Sequence, residues 1–591
     1  VSLNHELADI FRTMAAILEI RGEPVFKSIA FTRVSRALQD MTIDVRKAVE
    51  EGTLEQVEGI GKSSRKIIEE YVRTGTSSDF DELRRSIPEG LIALLEIPGL
   101  GPKTIALLWK ERGIENLASL ESALREGSLA GLKGIGAKKI ESIRQGIELR
   151  ARSSGRVGYP VARAAADQLL GWVRGFQGVV STEIAGSLRR RRETVGDVDL
   201  LCTTEPRVDP ELVTRHFTSH PSVERVLGQG PTKASVLTRD GLQVDLRVVP
   251  ADHFGAALQY FTGSKEHNVK LRGLAQDRGM TLNEWGLYEL AKYERAAKET
   301  GKPPAVKPVA SRTEAEVYEA LGLRYVEPEL REDRGEIEAA REGKLPKLIE
   351  LREIRGDLHT HTTASDGAAT IEQMAQAAGE LGYEYLAITD HSKSQVIANG
   401  LSVERLMEHV RLIRKLDGKV GKVRLLAGCE VDILADGRLD FEDAVLAELD
   451  WVVASPHVAL KQDSDKATTR LLRAIDNRFV NVIGHPTGRL IGSREGLPLD
   501  FERIYRSAAE SGTGLEINAG WPRLDLDDVR ARGAISHGVM LCINTDAHST
   551  DQLSGMELGI GVARRGWVAE ANVLNCLRLP KLKEWVKQKR G

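Results

Sequence analysis

The chain has 591 residues, with 83 Lys+Arg against 86 Asp+Glu and a formal net charge of -3. At roughly 100–200 residues per domain, that length predicts three to five domains. A hydrophobic content of 41% excludes a disordered chain, and the charge balance excludes a uniformly basic nucleic-acid binder while leaving room for a local basic face. No apolar run approaches the ~18 residues of a membrane span, so no membrane partner is expected. The start, VSLNHELADIFRTM, lacks the charged head and apolar stretch of a secretory leader. Cys202, Cys429, Cys542 and Cys576 form neither a CxxC pair nor a disulfide framework, which points to a reducing cytoplasm. Residues 101–300 hold 30 Lys+Arg and 24 Asp+Glu, whereas 301–591 hold 40 and 45. Eight of the 13 histidines follow residue 355, so the basic and His-rich parts are expected to do different chemistry.

Residues 1–155 carry apolar positions at helical spacing, as in ELADIFRTMAAILEI, without the alternation of strands. One small pattern recurs: Val57-Glu58-Gly59-Ile60-Gly61, Ile97-Pro98-Gly99-Leu100-Gly101 and Leu132-Lys133-Gly134-Ile135-Gly136. The glycine pairs Gly59/Gly61, Gly99/Gly101 and Gly134/Gly136 permit a tight turn whose backbone N–H groups open the next helix and can seat a phosphate. A single copy is an ordinary helical cap; three copies favour helix-hairpin-helix units that grip DNA phosphates without reading sequence. The helical part is expected to divide into two DNA-binding domains, 1–80 and 81–155.

Residues 156–250 switch to short β-rich runs, and 251–331 mix helix and strand. The run Gly186-Ser187-Leu188-Arg189-Arg190 precedes Gly196-Asp197-Val198-Asp199. On a strand, Asp197 and Asp199 share a face, and Asp245 in VDLRVVP supplies a third carboxylate from another run. Carboxylates so close repel unless a dication sits between them, and oxygen ligands suit Mg²⁺ or Mn²⁺ and phosphate chemistry. Gly186 and Ser187 offer a backbone N–H and a hydroxyl to phosphate oxygens, and Arg190 adds charge. Arg191 and Arg192 read as a solvated face.

On these motifs, residues 1–331 resemble a family X DNA polymerase of the polymerase-beta kind. The resemblance covers GSLRR…GDVD, VDLRVVP, Tyr260-Phe261-Thr262-Gly263-Ser264 and the thumb-like tail TEAEVYEALGLRYVEPELR. It implies a nucleotidyltransferase palm of mixed sheet and helices (156–250) and a nucleotide-selecting thumb (251–331). Asp197, Asp199 and Asp245 would then be the catalytic metal ligands. Gly186, Ser187, Arg190 and Gly196 would hold the triphosphate of a dNTP. Tyr260, Phe261 and Gly263 would form the wall beside the sugar, with Asn268 near the base and Arg272 near the template. Two departures stand out. Lys265 replaces an acid beside the incoming nucleotide, and Ile67 occupies the position of the Schiff-base lysine, so deoxyribose-phosphate lyase activity is not expected.

After a charged connector (332–355), β-rich runs alternate with helices, and almost every run ends in a metal-type ligand: His359, His361, Asp366, His391, Glu430, His457, His485, Asp546 and His548. Ligands at strand ends with intervening helices predict a parallel β/α barrel. Nine ligands suit two or three Mn²⁺ or Zn²⁺ ions. Asp357, Asp390 and Asn518 read as supporting groups, and His409 and His537 as structural. Residues 356–591 resemble a PHP (polymerase and histidinol phosphatase) domain, which implies a distorted seven-stranded barrel. The fusion is that of the bacterial and archaeal family X polymerases (PolX). It implies gap filling on primer–template DNA in base excision repair, plus a metal-dependent 3′–5′ exonuclease and 3′-end-processing phosphoesterase, on a monomeric chain. Two alternatives stay open: a nucleotidyltransferase acting on a non-DNA substrate, and a DNA-binding scaffold with a structural metal barrel.

Overall fold

The computed structural model describes residues 3–591 apart from 41–44, 51, 58, 96, 98–99, 130–131, 133, 137–138, 142, 145–146, 148–155 and 301–305, with backbone alone at 5, 36, 39–40, 47, 56 and 297–300. The chain folds into two compact units, Val1–Ser154 with Gly492–Arg494, and Gly155–Ile491 with Glu495–Gly591.

The described residues of the N-terminal stretch form helices and no strand, among them Leu3–Arg21, Val25–Asp40, Lys62–Thr74, Pro102–Arg112 and Leu117–Arg125. The glycine pairs sit where the hairpin reading expects them. Gly61 and Gly101 cap the helices Lys62–Thr74 and Pro102–Arg112 in extended conformation, and the Gly136 carbonyl accepts from the N–H groups of Lys139 and Ile140. Gly59 and Gly134 take φ of +96° and +97°, which only glycine adopts without strain. The residue between each pair, Ile60, Leu100 or Ile135, is buried and anchors the turn to the core. Gly99 lies outside the described residues.

The second unit begins with a five-stranded mixed sheet: β1 (Val179–Ile184), β2 (Asp197–Thr204), β3 (Val223–Gln229), β4 (Lys233–Thr238) and β5 (Gln243–Val248), in the order β1-β2-β5-β4-β3. The central pair β2 and β5 is parallel; the other pairings are antiparallel. Alternation along β2 sends Val198, Leu200 and Cys202 into the core beneath helix Tyr159–Arg174 and leaves Asp197 and Asp199 on the other face. Helices Phe254–Thr262 and Lys265–Asp277 and the hairpin Met280–Asn283/Gly286–Glu289 follow. Residues 332–355, read from sequence as a connector, are packed structure: Ile337, Ala340 and Leu348 share a core with Leu271, Val317 and Tyr318.

Seven strands then run parallel in sequential order: β6 (Gly356–Asp357), β7 (Tyr385–Ile388), β8 (Arg424–Asp432), β9 (Trp451–Ser455), β10 (Val482–Ile483), β11 (Gly514–Asn518) and β12 (Leu541–Asn544). A parallel bridge between Thr360 and Ala547 brings the two ends together, so the barrel is nearly closed. Alternation places Tyr385, Ala387, Leu426, Trp451, Val453, Val482 and Cys542 in an inner cluster. Their neighbours Leu386, Ile388, Leu425, Ala427, Val452, Ile483 and Ile543 face the surrounding helices. Leu579 and Leu582 of the last helix, Leu579–Arg590, join the inner cluster and stopper that end of the barrel. The ligand-bearing strand ends lie beyond the side-chain layer, so the apolar floor supports a polar mouth. The four cysteines are free and buried. No helix among the described residues is long and apolar enough to cross a membrane.

Candidate active sites

The first site is built by the register of two strands. Asp199 stands opposite Asp245 across the parallel β2–β5 pair, and Asp197 opposite Gln243. Burial pushes the Asp199 carboxyl up to about 6, and the charges of Asp197 and Asp245 add to the push. Asp245 behaves differently. Burial would raise it too, but Lys233 Nζ at 2.8 Å and the Gln243 amide donating at 3.0 Å hold it below the usual carboxylate range. Lys233, which the sequence motifs did not single out, is therefore the cation already in place. Three carboxylates with one driven toward protonation fit a hard divalent cation, which removes their mutual repulsion.

The turn beside them depends on Gly186. Its φ is +64°, and a Cβ there would lie 2.5 Å from Asp199 Oδ2. The turn Gly186–Arg189 carries the half-buried Ser187. Arg190 is committed on two sides: Nε lies 2.9 Å from Glu332 Oε1, and Nη1 donates to the Thr262 carbonyl at 2.8 Å. Gly196, half-buried, leads into β2.

Asn268 ties the 260–264 turn together. Its Nδ2 donates to the carbonyls of Tyr260 (2.7 Å) and Gly263 (3.2 Å), and its Oδ1 accepts from Gln259 Nε2 at 2.9 Å. Tyr260 and Phe261 meet edge to face at 5.1 Å, and Phe261 carries the Arg247 guanidinium over its ring at 4.2 Å. Lys265 is exposed and Arg272 half-buried. In the N-terminal unit, Ile67 is 2% exposed within the core, whereas Lys66 is exposed.

The second site lies at the barrel mouth, where the nine ligand candidates converge. Three groups have ligand atoms within 4.8 Å of one another: His361, Asp366, His391 and His548; His359, His361, Glu430 and Asp546; His391, Glu430 and His457. The ninth, His485, places Nε2 3.0 Å from Glu430 Oε1. Glu430 is thus the hub, with His391 Nδ1 at 2.8 Å from its Oε2, and His359 and His457 Nε2 at 3.3 and 3.4 Å from its Oε1. His485 (φ +26°) and Asp546 (φ +53°) hold a left-handed backbone that side chains avoid, a strain typical of functional positions.

Donor chemistry supports metals here. The Nδ1 atoms of His361 and His485 are buried without a hydrogen-bond partner, an expensive state unless an ion takes them. Glu516 accepts from His359 Nδ1 at 2.8 Å, which leaves the Nε2 lone pair facing the cluster. Asp432 does the same for His457 Nδ1 at 2.6 Å. The sequence reading missed both, although each stands two residues from a group it did mark, on the same strand face: Glu516 before Asn518, Asp432 after Glu430. Asn518 donates to Glu516 and Asp546, Asp357 accepts from Thr545, and Asp390 accepts from Thr362, Ser365 and His409. His409 is thus an internal brace, and His537 a surface residue near Glu502.

Arg191, expected on a solvated face, is only 25% exposed; Glu557 and Glu329 of neighbouring elements take its guanidinium. The sequence motif held no sign of those distant acids.

A parallel seven-stranded barrel whose mouth gathers histidines and carboxylates, joined to a palm with a carboxylate trio, defines a nucleotidyltransferase fused to a PHP phosphoesterase. Family models agree: helix-hairpin-helix domain at 2–77, SAM-like helix-hairpin-helix tandem at 91–149, DNA polymerase beta thumb at 257–332 and PHP domain at 357–519. The Bacillus subtilis (strain 168) protein named DNA polymerase/3′-5′ exonuclease PolX is 38% identical over 585 residues, covering 99% of each chain. A probable phosphatase of Thermoanaerobacter sp. (strain X514) is 30% identical over 245 residues, 40% of this chain and 95% of its own. A crystal structure of Leishmania infantum polymerase beta, a ternary P/T complex, matches 42% of this chain and 99% of its own at 26% identity and TM-score 0.28. The chain belongs to the PolX family of DNA polymerase/3′-5′ exonucleases. Divalent-metal dependence follows from both domains.

Proposed function

We propose that this chain fills short gaps in DNA during base excision repair and trims 3′ ends, with one site for each reaction. The observation that carries the first half is the Asp199–Asp245 register beside the glycine turn at 186. Asp197, Asp199 and Asp245 would hold Mg²⁺ or Mn²⁺, which would supply charge to activate a 3′-hydroxyl and stabilise the pyrophosphate leaving group. Gly186, Ser187 and Gly196 line the way for the triphosphate, and Arg190 adds its charge. Tyr260, Phe261 and Gly263, with the turn pinned by Asn268, form the wall for the sugar. Lys265 would meet the incoming nucleotide and Arg272 the template. At the barrel, His359, His361, Asp366, His391, Glu430, His457, His485, Asp546 and His548 would hold two or three Mn²⁺ or Zn²⁺ ions and hydrolyse the 3′-terminal phosphodiester.

The helical residues 1–155 hold duplex phosphates at Gly59, Gly61, Gly99, Gly101, Gly134 and Gly136, and the palm (156–250), thumb (251–331) and barrel (356–591) divide the chemistry. The buried Ile67 supports a domain that binds DNA without lyase chemistry. The reading places the chain in the cytoplasm as a monomer.

A gapped primer–template assay with and without dNTPs, across Mg²⁺, Mn²⁺ and Zn²⁺, tests both halves. Asp197→Ala abolishes extension and leaves 3′–5′ degradation; His359→Ala does the reverse. Variants that change neither activity would overturn the assignment, and transfer to RNA ends alone would favour a non-DNA nucleotidyltransferase.

A further inference from the structure

The palm turn that carries Ser187 and Arg190 is held from the barrel side by one helix, Met556–Arg565. Glu557, Gly561 and Arg565 are four residues apart and share a face of that helix. Glu557 accepts from the Arg191 guanidinium at 3.3 Å, through both its carbonyl and its Oε1. Gly561 lets the Arg191 side chain lie close, since a Cβ there would stand 3.1 Å from Arg191 Cδ. Arg565 reaches furthest. Its Nη1 donates to the Arg190 carbonyl at 2.9 Å and to Glu332 Oε1 at 2.9 Å, while its Nη2 donates to Asp528 Oδ2 at 2.6 Å. Leu558, between them, packs against the palm core.

Two details make this more than a surface contact. Arg565 is 3% exposed, so its charge is out of water and is compensated by Glu332 and Asp528. Glu332 Oε1 is shared, accepting from Arg565 on one side and from Arg190 Nε on the other. Both the Arg190 carbonyl at the end of the turn and the acid that aims the Arg190 side chain are therefore fixed by the same barrel guanidinium. A turn whose N–H, hydroxyl and guanidinium donors must point at a triphosphate works only if it is held in that geometry beforehand.

We propose that Arg565 of the PHP barrel is a positioning residue for nucleotidyl transfer, bracing the Gly186–Arg190 turn for the dNTP triphosphate. The inference rests on the palm reading given above. It makes the barrel a structural part of the polymerase site, independent of its own hydrolytic chemistry.

The full-length chain carries its own control, because 3′–5′ hydrolysis at the barrel does not use Arg565. On gapped DNA with Mg²⁺, Arg565→Gln raises the KM for dTTP about tenfold, the scale of one lost charge-assisted hydrogen bond, and changes kcat much less. Arg565→Lys keeps the charge but cannot reach all three acceptors, so its KM rises only a few-fold. Hydrolysis of the same DNA without dNTP keeps the wild-type rate in both variants. An unchanged KM in both variants overturns the proposal. So does a parallel fall of synthesis and hydrolysis, which would make Arg565 an ordinary packing residue. Wild-type protein that extends no primer at all would instead sink the palm reading itself.

Discussion

Glu516 orients the buried His359 so that its Nε2 faces the cluster at the barrel mouth. It accepts the Nδ1–H of His359 at 2.8 Å and is itself held by Asn544 at 2.8 Å and by the His485 N–H at 2.7 Å. Freed of that bond, the imidazole can rotate or take the other tautomer. Glu516→Gln is expected to weaken metal binding at the barrel roughly 10–100-fold, as loss of such a supporting bond does. Metal titration of the purified protein, followed by 3′–5′ degradation against metal concentration, checks this, and primer extension is unaffected. The ligand candidates themselves were legible because His-x-His, Ser-Asp-Gly and Asp-Ala-His are unusual strings. Glu516 and Asp432 were not, since a lone acid in a β-run looks like any polar strand end until the fold shows what it faces. Arg190 teaches the same lesson: its charge was legible, but its tie to Glu332, 142 residues away, was not.

At the scale of elements, one buried triad joins the palm turn to the thumb. Glu314 takes Arg189 at 2.7 Å and also pairs with Arg331, whose side chain is fully buried. Burial opposes ionisation of Glu314, but the guanidinium charges of Arg331 and Arg189 overcome it and hold its carboxyl down at about 2. The sign follows. A carboxyl depressed from 4.5 to about 2 adds stability that is complete above 4.5 and is lost as pH falls through about 2. Glu314→Gln strands two guanidinium groups and is expected to cost about 3 kcal/mol at pH 7. The difference in urea midpoint between wild type and variant is constant from pH 7 to 5 and narrows below 4.5. A constant difference down to pH 3 would mean that the carboxylate charge is not what stabilises the pair. Helical apolar spacing and short β-rich runs announced the helical and strand-bearing parts in the sequence. The packing of 332–355 did not show, because a segment rich in Glu and Arg reads as solvated until its few apolar residues, among them Ile337, Ala340 and Leu348, find a core.

At the scale of the whole molecule, palm and barrel meet through more than the Met556–Arg565 helix. Arg489 of the barrel pairs with Glu193 of the palm, and Gly158 lies so close to Trp521 that a Cβ would stand 2.2 Å from its ring. Gly158→Val is therefore expected to pry the two apart. Hydrogen exchange should quicken in 186–192 and in Met556–Arg565 together, while the barrel strands stay protected. Protection unchanged in both segments would show that the contact is dispensable.

Residue pattern alone marked out helical, palm-like and barrel parts, a trio of neighbouring carboxylates and nine candidate ligands for the barrel. Each of these is local: period-two alternation, glycine turns and short ligand strings depend on neighbours in the chain. What lies between those parts came from packing. It turned a charged connector into packed structure, gave Glu516 and Asp432 their histidines, and set Arg565 against the palm turn. Those contacts join residues up to 375 positions apart, and complementary charges at that separation carry no local signature until the fold brings them within hydrogen-bond reach.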